Sequence, residues 1–130
     1  MNLVNMKKLI LLIISLVFTI TVYAKIPKTS LEFIHRHYPS HTIKSYHKID
    51  HKHFVILDDD THLWFKASGS LIEIEGCVPS LAIPYQINNH LLWHYPNKPI
   101  HKYTKHKKGH SLRFKNGKRM EYTKKYKERK

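Results

Sequence analysis

Residues 26–65 align with residues 83–122 at a constant separation of 57 positions and without a gap, and no other feature limits the fold of this chain so strongly. Ile26-Pro27 matches Ile83-Pro84, and His37-Tyr38-Pro39 matches His94-Tyr95-Pro96. Farther on, Ile43 falls opposite Ile100, Tyr46 opposite Tyr103, Lys48 opposite Lys105 and His53 opposite His110. A register kept this long calls for two copies of one supersecondary unit.

Each copy changes period along its length. Pro27 and Pro84 suit the first turn of a helix, where a missing N–H loses no partner. Leu31, Ile34 and Tyr38 then form one apolar stripe at helical spacing, and Ile87, Leu91 and Tyr95 form another. Pro39 and Pro96 disfavour helical geometry in the tyrosine before them and mark the helix ends. Short strand-like runs follow at Thr42–His47, His53–Leu57, His62–Ala67 and Leu71–Glu75, then at Ile100–Lys105, His110–Phe114 and Arg119–Tyr122. Ser68-Gly69-Ser70 and Asn116-Gly117 supply turn chemistry, and Asp58-Asp59-Asp60 falls opposite Lys115-Asn116-Gly117, which makes it a hairpin tip. The expected fold is α+β: tandem α-β-β-β(-β) repeats forming antiparallel sheet, with helices packed on one face.

The N-terminus stands apart from this pattern. Lys7 and Lys8 precede an uncharged apolar run from Leu9 to Val22, shorter than the roughly 20 residues that span a bilayer. Val22-Tyr23-Ala24 then offers a peptidase site. The three parts read as a secretory signal over residues 1–24, cleaved after Ala24, with no transmembrane segment remaining. The expected organisation continues with repeat 1 at 25–77, repeat 2 at 78–122 and a basic C-terminal tail at 123–130. Cys77 is the single cysteine, so no disulfide forms within the chain, and a small buried apolar role is expected for it.

The segments FIHRHYPSHTI, GSLIEIEGCVPSLAIP and LLWHYPNKPI, with their helix, Tyr-Pro, hairpin and closing Cys, resemble the tandem PepSY-like family, also described as β-lactamase-inhibitor-like. The resemblance covers residues 26 to about 122. It implies a fold similar to the β-lactamase inhibitor protein, export to the periplasm or beyond, and a non-catalytic binding role of an inhibitor-like kind toward a secreted protein. It carries no catalytic set. The chain departs from the family pattern in its abundance of His and Lys, and in ending with a lysine-rich segment where a fourth strand matching Leu71–Glu75 is expected.

Charge is distributed unevenly. Residues 25–97 hold seven basic and seven acidic side chains, whereas residues 98–130 hold fourteen basic ones against Glu121 and Glu128 alone. Such a field recruits anions in a salt-dependent manner. The residues expected to bind them are Lys102, Lys105, Lys107, Lys108, Lys118, Arg119, Lys124 and Lys125, with Tyr103, Tyr122 and Tyr126 interspersed. The partners anticipated are an anionic polymer, a lipid headgroup or a secreted protein, with no specific nucleic acid, and no cofactor is expected.

The 12 histidines all follow Ala24 and supply the alternative reading, a histidine-rich periplasmic metal-buffering protein. His90 and His94 share a helix face, and His35 with His37 and His51 with His53 form His-x-His pairs. Composition alone generates such spacings in so histidine-rich a chain, so no metal site is assigned. Asp58-Asp59-Asp60 lacks the glycine and distal glutamate of a calcium loop. Neither Cys77 nor Ser68-Gly69-Ser70 carries the surroundings of a nucleophile, and the chain is not expected to be an enzyme.

Overall fold

The computed structural model describes residues 5–9 and 25–129. The signal segment and its cleavage site fall almost wholly outside the described residues. Among those residues no helix is long and apolar enough to cross a membrane.

The chain runs through helix α1 (Lys28–His37), strands β1 (Ile43–Ile49), β2 (Lys52–Leu57), β3 (His62–Phe65) and β4 (Leu71–Glu75), and a 3-10 turn (Ser80–Ala82). Helix α2 (Tyr85–His94) follows, then strands β5 (Ile100–His106), β6 (Gly109–Phe114), β7 (Arg119–Thr123) and β8 (Glu128–Arg129). The eight strands form one sheet in sequence order. Every neighbouring pair is antiparallel, and β4 joins β5 through Glu73↔Thr104, Ile74↔Tyr103 and Glu75↔Lys102.

Strand alternation decides which side chains enter the core. Val55, Leu57, Leu63, Phe65 and Ile74 are buried from the first four strands, and Tyr103, Leu112, Phe114, Met120 and Tyr122 from the later ones. Ile34 of α1 and Tyr38 just after it, with Ile87 and Leu91 of α2, belong to the same cluster. The two stripes legible in the sequence therefore mark the buried sides of the helices, with Leu31 and Tyr95 packed at the margin. Both prolines lie one position earlier than expected, at the N-caps of α1 and α2. Proline fixes φ near the value an entering chain needs and has no donor to leave unpaired.

Positions 57 residues apart share backbone geometry. The N–H of Tyr38 bonds the carbonyl of Ile34, as that of Tyr95 bonds Leu91, each at 2.8 Å. The β2–β3 turn is closed by Leu57 N–H to Thr61 O at 2.9 Å, and the β6–β7 turn by Phe114 N–H to Lys118 O at 2.9 Å.

The segment expected as a basic tail is instead a hairpin. Strand β8 pairs with β7 through Glu121↔Arg129 and Tyr122↔Glu128. Thr123 donates to Lys127 O and Tyr126 to Thr123 O, as Lys66 donates to Ser70 O and Gly69 to Lys66 O in the earlier turn. The tight position held by Gly69 at φ 96° is held by Tyr126 at φ 64°. A tyrosine seldom adopts that left-handed geometry, which hides the turn from sequence inspection. The Tyr126 ring gains a contact with His110 at 5.3 Å that a glycine would lack. Cys77 also departs from expectation: its side chain is exposed, and the strand end is anchored through its backbone, where Tyr38 Oη donates to the Cys77 carbonyl at 2.7 Å.

Candidate anion-binding surface

Antiparallel order places alternate turns at opposite ends of the sheet. The β5–β6 turn carrying Lys107 and Lys108 and the β7–β8 turn carrying Lys124 and Lys125 therefore share one end, where Gly109 pairs with Thr123. The Arg129 guanidinium fastens the two turns by donating to the Lys108 carbonyl at 2.7 Å. Lys107, Lys108, Lys124, Lys125, Lys127 and Arg129 surround a depression of about 540 Å³. Beside it runs a cleft of about 610 Å³, to which Lys105, Lys107 and Lys124 contribute from these strands and turns, and Lys52 and Lys66 from the first half of the chain. Asp50 is the single acidic residue lining that cleft.

His110 lines this cleft together with Ala67, Ile72 and Tyr126. His110 is buried, and its Nδ1 lies 2.8 Å from the Tyr103 hydroxyl with the rings stacked at 5.9 Å. Burial lowers the His110 pKa, and the charges of Lys105 and His106 lower it further. The Tyr103 hydroxyl is held protonated, chiefly by burial. A neutral hydrogen-bonded pair thus supports a rim of ammonium groups whose long stems keep their charges in water.

The other predicted residues go elsewhere. Lys102 Nζ lies 3.4 Å from Glu73 Oε1 and 3.7 Å from Glu75 Oε2. Arg119 lines a separate depression of about 220 Å³ together with Lys102, Glu73 and Glu121. Three cations, Lys102, Arg113 and Arg119, share this face with Glu73 and Glu121, and carboxylates pair with Lys102 and Arg113. Lys118 stands at the opposite end of β6, its Nζ 4.5 Å from the centre of the Tyr95 ring, with Lys98 Nζ 5.3 Å from the same ring. Of the eight expected residues, the fold brings Lys105, Lys107, Lys108, Lys124 and Lys125 together and separates Lys102, Lys118 and Arg119. Lys52, Lys66, Lys127 and Arg129, left out of the sequence-based set, complete the group. Lys127 and Arg129 belong to the basic segment legible in the sequence, whereas only strand pairing identifies Lys52 and Lys66, which come from a segment whose net charge is zero.

Histidines of two of the expected pairs, His90 and His53, meet other partners. The rings of His90 and His94 lie 4.3 Å apart, but His90 Nδ1 meets the Tyr122 hydroxyl at 2.8 Å and its Nε2 faces Glu128 at 3.5 Å. His53 is buried against Tyr46. The described residues do hold one group with metal-ligating donors that spacing did not suggest, His41 with Asp58 and Asp59. His41 Nδ1 is 2.7 Å from Asp58 Oδ1, and Nε2 is 3.9 Å from Asp59 Oδ2. The hydrogen bond to Asp58 raises the His41 pKa, and the same bond holds Asp58 below the ordinary carboxylate range.

Residues 51–129 match the family described as "Putative beta-lactamase-inhibitor-like, PepSY-like". The chain belongs to this family. Three solved structures share the fold of this PepSY-like chain. A "putative periplasmic protein of unknown function" from Bacteroides vulgatus superposes with a TM-score of 0.75 at 24% identity, covering 82% of this chain and 91% of the other. A "putative calcium-regulated periplasmic protein" from Bacteroides thetaiotaomicron gives 0.76 at 18% identity, covering 82% and 90%. A DUF2874 family protein from Bacteroides vulgatus gives 0.74 at 19% identity, with 82% and 90% covered. No curated protein matches the sequence.

Proposed function

We propose that this PepSY-like protein is a secreted or periplasmic, non-catalytic binding module of two tandem repeats, whose helices cover one face of the sheet and whose basic sheet end captures anionic partners. One observation carries the reading: the Lys107-Lys108 and Lys124-Lys125 turns meet at one end and extend Lys52 and Lys66 into a continuous cationic rim. The apolar run after Lys7-Lys8 and the periplasmic description of its structural neighbours support export. The family's inhibitor-like description is consistent with a secreted protein as the physiological partner. Lysine clusters of this kind attract phosphates, sulfates and carboxylates, with an affinity that falls as salt screens them.

The test is heparin affinity across a salt series. Replacing Lys107, Lys108, Lys124 and Lys125 by Gln should move elution to markedly lower salt, while Lys102→Gln with Arg119→Gln should leave it nearly unchanged. Equal loss in both variants would remove the sheet end as the site.

A second reading rests on the His41, Asp58 and Asp59 group, whose imidazole and two carboxylates present donors for a divalent cation on the far hairpin. Calorimetric titration with calcium and with zinc, repeated on Asp58→Asn, decides it: heat unchanged by the substitution excludes this group.

A further inference from the structure

The outer side of α2 carries a surface that its counterpart α1 lacks. Lys28, Glu32 and Arg36 are exposed along α1, an ordinary solvated face. The positions 57 residues later hold Tyr85, Asn89 and Trp93, and α2 contains no Lys, Arg, Asp or Glu. Leu81 is 86% exposed, Tyr85 77%, Leu92 65% and Trp93 79%, so four large apolar side chains project from one short helix and the turn before it. Two aromatic rings and two leucines gathered on one element exceed the scattered apolar exposure normal for a protein surface.

Cations stand at both ends of this patch. At its start, Lys105 lines a groove with Leu81, Tyr85 and Tyr126. At its end, Lys98 and Lys118 lie over the Tyr95 ring. The acidic group placed against α2 is Glu128, which faces His90 at 3.5 Å. Apolar and aromatic side chains between lysines match the boundary between acyl chains and anionic headgroups, where Trp and Tyr rings settle and ammonium groups meet phosphate. A second copy of the chain complements this face poorly, since it would oppose the same lysines to one another.

We propose that α2 and the preceding turn form a membrane-interfacial patch that seats the protein on an anionic lipid surface. This deepens the anion-binding reading and rests on it for the electrostatic attraction. The apolar patch is too small to bind lipid alone, and charge alone would leave Trp93 in water. Adsorption therefore needs both signals, as marginal anchors generally do.

The chain has two tryptophans, so Trp64→Phe leaves Trp93 as the reporter. Vesicles of equimolar phosphatidylglycerol and phosphatidylcholine should shift Trp93 emission to the blue and sediment with the protein at low salt. Pure phosphatidylcholine should do neither. Tyr85→Ser with Leu92→Ser, both at exposed positions outside the core, should weaken partitioning by about ten-fold, and Lys98→Gln with Lys118→Gln should weaken it severalfold. Heparin retention with unshifted Trp93 emission on anionic vesicles overturns the lipid inference and leaves the anion reading standing. Loss of both heparin and vesicle binding overturns the two together. A lipid-independent, concentration-dependent blue shift with a dimer in sedimentation velocity assigns the face to a second copy and likewise overturns the inference.

Discussion

The Tyr103 hydroxyl meets His110 Nδ1 at 2.8 Å, and 57 residues earlier the Tyr46 hydroxyl meets His53 Nδ1 at 2.6 Å. At both positions the imidazole is buried and stacked on the tyrosine that bonds it. Burial at both positions favours the neutral ring over the imidazolium.

Acid should therefore destabilise the fold before carboxylates titrate. Burial is the first cause lowering the pKa of His53, His110 and His37, so the unfolded chain takes up protons near its ordinary value of about 6.5 while the native state resists. The stability contributed by neutral histidines is full above that value and is lost as pH falls toward the lowered native pKa. His41 works in the opposite direction, since its raised pKa favours the fold below its ordinary value, but it is exposed and solvent weakens it. Urea midpoints should drop between pH 7.5 and 5, with a smaller drop in His53→Asn/His110→Asn; an equal drop in the double variant would exclude these two rings as the cause.

Two glycines should respond very differently to alanine. At Gly109, φ is 144° and an added Cβ would overlap the Tyr122 carbonyl oxygen at 2.0 Å. Backbone must shift, at a cost of about 3 kcal/mol or more. Gly117 has φ 93° but open space around it, so Gly117→Ala should cost only about 1 kcal/mol for its left-handed conformation. Chemical denaturation of the two variants compares them directly.

Ser30 is fully buried in α1, and its hydroxyl donates to the Gly69 carbonyl at 2.9 Å, tying the helix to the β3–β4 turn. Ser30→Ala strands that carbonyl away from water. A loss of about 1–2 kcal/mol is expected, measurable as a lower thermal midpoint, whereas an unchanged midpoint would show that the turn is held by other contacts.

The salt dependence of heparin binding should separate lysines that look alike in sequence. Each Lys107 or Lys124 replaced by Gln should reduce the slope of log affinity against log salt by about one unit if it contacts a sulfate. Lys102→Gln should leave the slope unchanged, because Glu73 and Glu75 already neutralise Lys102.

Legibility in the sequence followed the range of the interaction. The helix stripes, Tyr-Pro ends and Asn-Gly turn were readable because local periodicity and turn chemistry set them within a few residues. The β7–β8 hairpin was not, since its tight position uses a tyrosine whose strain is met by packing on His110, a contact across 16 positions. The exposure of Cys77 escaped for a related reason: the strand end is held by bonds to its backbone, which side-chain chemistry does not announce.

The sequence by itself determined the family resemblance, the order of elements and the crowding of positive charge into the last quarter of the chain. The tertiary structure decided which of those charges act together. Strand pairing neutralised Lys102 against Glu73 and Glu75, sent Lys118 to the far end of β6, and brought Lys52 and Lys66 alongside Lys107 and Lys124. Electrostatic grouping depends on distances of a few ångströms between segments remote in sequence, and only the folded sheet sets those distances.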